Sequence, residues 1–337
     1  MSLYVTELRR LAKRRLTRLL LVLLVLGLAG VATAFSFSSH QLSKEVVAAA
    51  QAESDAQYRR ALEDWKRTVA DCDAARARGE NTEDRFGPDC GREWQPQPEM
   101  FDPKWNLPYQ FDFRGEFPMF IAVFAGAVAL FAFIVGASFV GAEWSTGGMM
   151  NLLLWRPKRL AVLGTKLAAL LTTVLGVGVV LGAFWTLAFW LIGTYRGTTA
   201  EVTAGVWRSI GLDGLRALGL ILAVGAVAFA LASLGRHTAM ALGAAVAVFA
   251  ISEIGVRIAV GVLGVPFGER YVLSTYAQAW FLKRVQLLNY DACQFAKGQC
   301  EPAELLVTWQ DSALVLGLGG AVVLIAAFWM MRRRDIA

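Results

Sequence analysis

Histidine is almost absent from this sequence, which contains only His40 and His237, far apart along the chain. A zinc peptidase of the HExxH type needs two histidines one helical turn apart, so that class is excluded. The sequence also lacks GxxxxGKS or GxxxxGKT, the loop whose backbone amides cradle nucleotide phosphates. Its polar residues form no grouping of nucleophile, base and metal ligands of the kind that catalysis needs. The sequence therefore predicts no catalytic residues, no metal site and no cofactor in this chain.

Charged residues are also scarce, at 18% of 337 residues, whereas 56% are hydrophobic. Long runs carry almost no charge, and about 20 apolar residues are enough for a helix to cross the bilayer core. Backbone groups in lipid must satisfy their own hydrogen bonds, and the runs are too long for barrel strands, so they must be helices. The sequence predicts an all-α polytopic membrane protein with six transmembrane helices, at 19–37, 117–141, 161–192, 213–234, 239–264 and 312–331.

The net charge of +6 does not indicate a nucleic-acid partner, because the basic residues lie beside the predicted spans. The segment 38–116 contains 11 basic and 16 acidic residues, whereas 14 Lys or Arg and three acidic residues occupy 1–18, 142–166, 233–238 and 332–337. Short cytoplasmic loops carry the excess of Lys and Arg, so both termini are predicted to be cytoplasmic. A signal peptide cleaved near residues 32–34 is the alternative for the first run, but its removal would leave five spans.

Residues 1–18 are predicted to form a cytoplasmic helix in the membrane interface. Val5, Leu8, Ala12 and Leu16 recur at helical spacing, and basic residues occupy much of the remaining surface. The cations of such a helix contact lipid headgroups, so membrane lipid is a predicted partner. The alternative is a charged flank that only sets the orientation of the first span.

The segment 38–116 is predicted to be an extracytoplasmic insert whose first half is helical. Residues 41–78 contain no Gly or Pro and carry an apolar seam that repeats in steps of four and three. The seam predicts a helix that packs against another helix, and it consists of Tyr58, Leu62, Trp65, Val69 and Cys72. The second half contains five prolines and is predicted to be an ordered loop.

The alternation of spans places two further segments outside the cell. They are a link at 193–212 and a loop at 265–311, in which 271–282 is predicted to form a short helix with aromatics at the headgroup level. Residues 332–337 are the cytoplasmic tail.

All four cysteines fall in segments predicted to lie outside. Cysteines confined to the oxidising side of a membrane are typical of disulfides, and no CxxC zinc spacing is present. Two local disulfides are predicted, Cys72–Cys90 and Cys293–Cys300.

A pair of opposite charges lies deep in the fifth span. Glu253 and Arg257 are four residues apart, so they share one helix face and can neutralise each other. Ionisable groups at that depth usually face a cavity or a partner, which makes the pair a candidate for a polar point in a transport path. A self-satisfied structural pair is the favoured alternative. Asp213 and Arg216 are predicted at the outer rim of the fourth span, with ordinary solvation.

The segment 142–160, between the second and third spans, contains a short apolar helix on the cytoplasmic side. Ser145 and Thr146 are suited to cap the start of a helix, and Gly147 with its neighbouring glycine allows a sharp bend. Pro157 then ends the helix. An apolar surface outside the membrane usually marks a contact with another protein, and an interfacial helix that rests on lipid is the alternative.

This segment also carries a resemblance to a known family. A pattern in this segment consists of Glu143, Gly147, Leu152, Leu153, Pro157 and Arg159. It resembles the pattern in permease subunits of bacterial type-2 ATP-binding-cassette exporters. Two departures are Gly148, where many relatives have Thr, and the insert 38–116, which is larger than usual. The resemblance implies a multi-pass protein of the bacterial plasma membrane that pairs with a second permease copy or a paralogue.

The resemblance further implies cytoplasmic ATPase subunits, which bind ATP and magnesium and grip a coupling helix. That role falls on Glu143, Trp144, Ser145, Thr146, Gly147, Met149, Asn151, Leu152, Leu153, Trp155, Arg156, Pro157 and Arg159. The predicted function is thus an exporter permease, not an enzyme in itself. The alternatives are a secondary transporter, or a membrane-anchored receptor or assembly factor whose insert binds a ligand. An intramembrane enzyme ranks last.

Overall fold

The computed structural model describes residues 3–155, 158–290 and 302–333. In chain order its elements are the helices α1 (Leu3–Lys13), α2 (Arg15–Ser38), α3 (Lys44–Ala77), α4 (Glu83–Phe86), α5 (Phe113–Ser145), α6 (Gly148–Trp155), α7 (Arg159–Tyr195), α8 (Ala204–Gly235), α9 (Thr238–Phe249), α10 (Arg257–Leu263) and α11 (Leu273–Leu282), the strands β1 (Arg284–Asn289) and β2 (Ala303–Thr308), and helix α12 (Trp309–Arg333). A π-helical turn, Ala250–Val256, joins α9 to α10.

In the described residues, six helical segments are long and apolar enough to cross a membrane: α2, α5, α7, α8, α9 with α10, and α12. The predicted fold class, an all-α polytopic membrane protein, is therefore confirmed. Most of these helices extend beyond the predicted apolar runs. Helix α8 already begins at Ala204, inside the predicted link 193–212, because a helix continues until its backbone meets a break, here the extended residue Thr203.

The chain divides into two compact units. The membrane unit comprises the described residues of 1–32, 114–189 and 200–337, and the insert unit comprises 33–113 and 190–199. Of the six spanning segments, α5 and α8 are the most buried within the protein.

Helices α5 and α8 cross at close range in the membrane unit. A Cβ atom built on Gly136 of α5 would lie only 2.7 Å from the carbonyl oxygen of Gly225 of α8. A Cβ atom built on Gly225 would in turn lie 3.4 Å from the Cβ of Ala132 on α5. Small residues thus let the two backbones approach, as at other interfaces between membrane helices.

Aromatic side chains fill the contact between α5 and α7. The ring centroids of Phe120 and Phe189 are 4.4 Å apart, and those of Trp185 and Phe189 are 4.7 Å apart. The Trp185 indole N–H donates to the carbonyl of Phe120 at 3.1 Å. The contact therefore satisfies the polar atom of the Trp while burying its ring.

The segment between the fifth and sixth spans contains α11 and an antiparallel hairpin of β1 and β2. The register pairs Arg284 with Thr308 and Asn289 with Ala303. Leu287 and Val307, one from each strand, pack with Ala279 of α11 in a small apolar core. A short helix is predicted here from the sequence, but the hairpin is not. Cys293 and Cys300, which are predicted to pair, come between β1 and β2 in the sequence and lie outside the described residues.

Asp213 of α8 is buried, contrary to the ordinary solvation predicted for it. Its carboxylate lies 2.9 Å from the Arg216 guanidinium and 3.5 Å from the Lys283 ammonium, which follows α11. The Arg216 guanidinium also lies over the ring of Trp309, 5.0 Å from its centroid. Burial follows because α11 and α12 cover this end of α8.

In the insert unit, the second half of the insert is fastened to α3. Cys72 and Cys90 form the predicted disulfide, with Cα atoms 5.7 Å apart. The Arg92 guanidinium bonds both carboxylate oxygens of Asp73, at 2.7 and 2.8 Å. The Trp65 indole N–H donates to a carbonyl of the same loop at 2.9 Å.

The apolar seam of α3 contacts this loop rather than a second long helix within the insert unit. Tyr58 of the seam packs against Phe101 with ring centroids 5.8 Å apart, and the 3₁₀ turn Pro103–Asn106 lies along the same helix. In the described part of the insert unit the partner of this seam is therefore the loop, and packing of the seam against another helix stays a prediction.

Candidate functional site

Helix α1 is attached to the membrane unit through a face that the sequence analysis does not predict. Glu7 and Leu11 are fully buried, and the Tyr4 hydroxyl donates to the hydroxyl of Thr172 on α7 at 2.9 Å. Of the predicted apolar positions, Val5 and Leu16 are exposed. The basic and apolar surface thus remains available to solvent or lipid, while an acidic residue faces the protein.

Glu7 belongs to a buried network of charges. The Lys166 ammonium of α7 lies 2.8 Å from the Glu7 carboxylate and 2.7 Å from that of Glu143 on α5. The Arg14 guanidinium, between α1 and α2, bonds the other oxygen of Glu143 at 3.0 Å and the Ser138 carbonyl at 3.1 Å. The half-exposed Arg10 guanidinium also lies 3.5 Å from the Glu7 carboxylate. Both carboxylates are therefore paired with cations, which is the condition under which buried charges are tolerated.

An aromatic ring completes this network. Phe139 of α5 is fully buried, with the Lys166 ammonium 4.9 Å and the Arg14 guanidinium 5.0 Å from its centroid. Cations at such distances are attracted by the ring. The network therefore ties four parts of the chain together: α1, the junction before α2, the end of α5 and the start of α7.

The family pattern in the sequence includes Glu143, but no sequence signal was assigned to Glu7, and Arg14 and Lys166 were counted only as basic residues that set orientation. One feature of the sequence does indicate a buried ion pair. Lys166 lies inside the predicted span 161–192, and an ionisable group at that depth needs a partner. Its partner could not be found by spacing, because Glu7 is 159 residues away.

The turn before α6 differs from its prediction. Gly147 has φ +73°, which supports the predicted bend. However, the hydroxyls of Ser145 and Thr146 donate to the Ala142 carbonyl at 3.1 and 2.8 Å. They bond back to the last turn of α5 and do not cap α6, because α5 continues to Ser145 and offers the nearer acceptor.

Helix α6 has apolar residues on both of its faces. Met149 and Leu153, four residues apart, are buried against the protein. Leu154 and Trp155 are 80% and 87% exposed. The helix is therefore held by one apolar face and presents a second.

A cleft of about 910 Å³ separates α6 from α1. Its lining on the α1 side is basic, with Arg9, Arg10, Lys13 and Arg14, and its lining on the other side comprises Glu143, Gly148, Asn151, Leu152 and Trp155. The one carboxylate among these residues already contacts Lys166 and Arg14. The cleft thus combines positive charge with an apolar wall.

Of the predicted coupling residues, the lining of this cleft includes Glu143, Asn151, Leu152 and Trp155. Trp144 is directed towards Arg236, whose guanidinium lies 5.0 Å from its ring, and its buried indole N–H has no acceptor in the described part of the chain. Arg159 lines a separate cleft with Lys158 and Arg332. Arg156 and Pro157 lie outside the described residues.

Glu253, in the π-helical turn, contacts the first turn of α11. Its carboxylate oxygens accept from the backbone N–H and the hydroxyl of Ser274, both at 2.8 Å. The neighbouring Ser252 hydroxyl accepts from the Leu273 N–H at 2.7 Å. The predicted partner Arg257 is 3.4 Å away and half exposed. Ser252 and Glu253 thus each satisfy one orphan amide at a helix start. The role of Glu253 in a transport path stays a prediction.

Comparison with known proteins gives a result at the level of a family. A family model described as ABC-2 family transporter protein matches residues 1–336. The matched range includes the large insert as well as all six spanning segments. No curated protein matches the chain, and no solved structure matches it.

Proposed function

This chain belongs to the ABC-2 transporter family, and on that premise we propose that it is the permease subunit of an exporter driven by a separate cytoplasmic ATPase. In this proposal the ATPase subunits bind ATP and magnesium. The transport path forms between this chain and a second permease copy or a paralogue. The termini, α1 and α6 face the cytoplasm of a bacterial cell, where short loops carry the excess of basic residues.

The buried charge network is the observation that carries the proposal. It joins α1 to the ends of α5 and α7 on either side of α6, through Lys166 contacts of 2.8 and 2.7 Å. Packed interiors transmit displacement because they have low compressibility. A force applied to α1 or α6 therefore reaches two spanning helices together.

The cleft between α1 and α6 supports a docking role for this end of the molecule. Its basic side and its apolar wall favour a partner element that is acidic on one face and apolar on the other. Trp155, which lines the cleft, is the type of residue that dominates binding at protein interfaces. The ATPase subunit would place such an element in the cleft and against the exposed face of α6.

The energetic requirement is a difference between two states. A partner shifts the permease between inward and outward arrangements only if it binds the docking surface more tightly in one of them. Closure of the ATPase subunits on ATP would supply this difference, because it moves the two bound surfaces relative to each other. The permease needs no nucleotide site of its own for this purpose.

Co-purification with a matched pair of variants tests the proposal. In gentle detergent the chain should purify with a subunit that contains a P-loop and hydrolyses ATP. Trp155→Ala should weaken that complex by about 2 kcal/mol, as for a central interface Trp, which is roughly 30-fold. Trp94→Ala is the control, because Trp94 is 80% exposed in the insert unit. Equal effects of the two variants, or no ATPase in the complex, would count against the proposal.

The sidedness of α6 provides a second test. A cysteine introduced at Leu154 should react with a membrane-impermeant maleimide only in inside-out vesicles. A cysteine introduced at Trp94 should react only in intact spheroplasts. Labelling of the Leu154 position from outside the cell would remove the coupling role from α6.

A further inference from the structure

A second cleft lies where α7 begins and α12 ends. It has a volume of about 310 Å³ and is lined by Lys158, Arg159, Leu160, Ala161 and Arg332. Three of these five side chains are cationic, and no acidic residue is among the described residues that line it. Residues 158–159 and Arg332 come from distant parts of the chain, so the fold brings like charges to one opening. Such an arrangement favours an anion.

The start of α7 adds to the positive potential. In the first turn of this helix the Val162 N–H donates to the Lys158 carbonyl at 3.1 Å. The N-terminus of α7, at Arg159, carries the positive end of the helix dipole. A phosphate oxygen is a suitable acceptor at this position.

The surroundings of the cleft are apolar on the side of the spanning helices. Leu160, in the lining, is exposed. Trp329 is also exposed, one turn before Arg332 on α12, and the Arg333 guanidinium lies 4.5 Å from its ring centroid. Tryptophan and arginine at the end of a membrane helix are typical of the headgroup level. A ligand here would contact cations with one part and apolar side chains with another.

We propose that this cleft binds the phosphate headgroup of an anionic phospholipid, whose acyl chains lie along α7 and α12. Basic pockets between membrane helices bind lipids of this class. The proposal does not depend on an ATPase partner, because it concerns Lys158, Arg159 and Arg332, none of which lines the cleft beside α6. It gives Arg159 a ligand other than the coupling partner that the sequence predicts.

Lipid binding to the purified full-length chain tests this assignment. The probe is phosphatidylglycerol in phosphatidylcholine nanodiscs. Its binding is measured by native mass spectrometry and by the lipid concentration that gives half of the maximal rise in the melting temperature of the protein. The variant Lys158→Gln/Arg159→Gln/Arg332→Gln should bind on the order of 100-fold more weakly, because each cation near an anionic surface contributes about fivefold. Lys158→Gln/Arg332→Gln, which keeps Arg159, should give an intermediate loss.

The control variant removes the same charge elsewhere. Lys44, Arg59 and Lys66 are exposed on α3 of the insert unit, and their replacement by Gln should leave lipid binding unchanged. Inorganic phosphate distinguishes a lipid site from a general anion site. Millimolar phosphate should not displace bound phosphatidylglycerol. If it displaced the bound lipid as well as added phosphatidylglycerol does, the proposal would be overturned. Wild-type lipid affinity of the triple variant, or an equal loss in the control variant, would also overturn it.

Discussion

The Lys166 ammonium lies 2.8 Å from the Glu7 carboxylate, and neither side chain has any exposed surface. An isolated buried charge is costly, because it gives up hydration without compensation. The pair is tolerated here because Glu143 and Arg14 extend it into a balanced set. The contact fixes an amphipathic helix at one end of the sequence to the start of α7.

Removal of one partner should therefore destabilise the protein. Lys166→Met leaves Glu7 without its closest cation, and breaking a buried pair typically costs about 3–5 kcal/mol. The expected result is a large fall in the melting temperature of the purified protein in detergent. Arg67→Met is the control, because the Arg67 ion pairs on α3 are mostly exposed and such pairs contribute little.

A double variant separates the loss of the ion pair from the loss of packing. Glu7→Gln combined with Lys166→Met removes both charges and leaves Glu143 bonded to Arg14. It should be clearly more stable than Lys166→Met alone. If the double variant is no better than the single one, the ion pair is not the source of the effect.

The crossing of α5 and α8 predicts a difference between two glycines of the same helix. Gly136→Ala places a Cβ 2.7 Å from the Gly225 carbonyl oxygen, so the backbones must separate. Overpacking of this kind costs about 1–3 kcal/mol. At Gly126 nothing lies within 4 Å of an added Cβ, and Gly126→Ala should be neutral or slightly stabilising. Thermal unfolding of the two variants measures the difference, and similar melting temperatures would contradict the close crossing.

The six spanning segments follow from the sequence because lipid leaves an apolar run no structure other than a helix. Their ends do not follow from apolarity. Helix α8 begins at Ala204 rather than at 213, since residues 204–212 hydrogen-bond as a helix whether or not lipid surrounds them. The serine and threonine before α6 were misassigned for the same reason, as α5 continues through Ser145.

The candidate site could be predicted only in part. Helix α6 falls within the predicted coupling segment 142–160, because a Gly pair followed by an apolar run is a local pattern. The charge network is not local. Glu7, Arg14 and Lys166 meet only after the chain has folded, and each alone resembles an ordinary flanking charge. The hairpin of β1 and β2 was not predicted because short apolar runs such as these six-residue segments do not distinguish a strand from a helix.

The disulfide of the insert makes a prediction about reactivity. In spheroplasts of cells that express the protein, Cys72 and Cys90 should resist an impermeant maleimide, and both should react after reduction, since the insert is proposed to lie outside. Cys72→Ser/Cys90→Ser should destabilise the local fold by about 3 kcal/mol, the loop-closure value for a span of this length. Limited proteolysis of the loop near Arg92 measures the loss. Labelling of these cysteines without reductant would show that the bond is absent in cells.

The last prediction concerns the fifth span and separates an anchoring role of Glu253 from a role in transport. Glu253→Ala removes the acceptor of the Ser274 N–H, and loss of such an acceptor at a helix start typically costs about 1 kcal/mol. Hydrogen exchange of the peptide that contains Leu273 and Ser274 should therefore become faster. Glu253→Gln keeps an acceptor oxygen and should preserve much of the protection. Arg257→Gln should change it little, because Arg257 donates to the Ser274 hydroxyl and not to a backbone group of this peptide.

A transport role predicts the opposite pattern for these three variants. A charge that lines a path should matter as a charge, so Glu253→Gln and Arg257→Gln would abolish transport in reconstituted vesicles while the exchange of α11 stays at the wild-type rate. If Glu253 only anchors α11, a variant with faster exchange should also have slower transport. Glu253→Ala should then have a larger effect than Glu253→Gln on both quantities. The comparison separates the two roles because Gln keeps one acceptor oxygen for the Ser274 N–H and loses the charge, and the two roles depend on different properties of the same carboxylate.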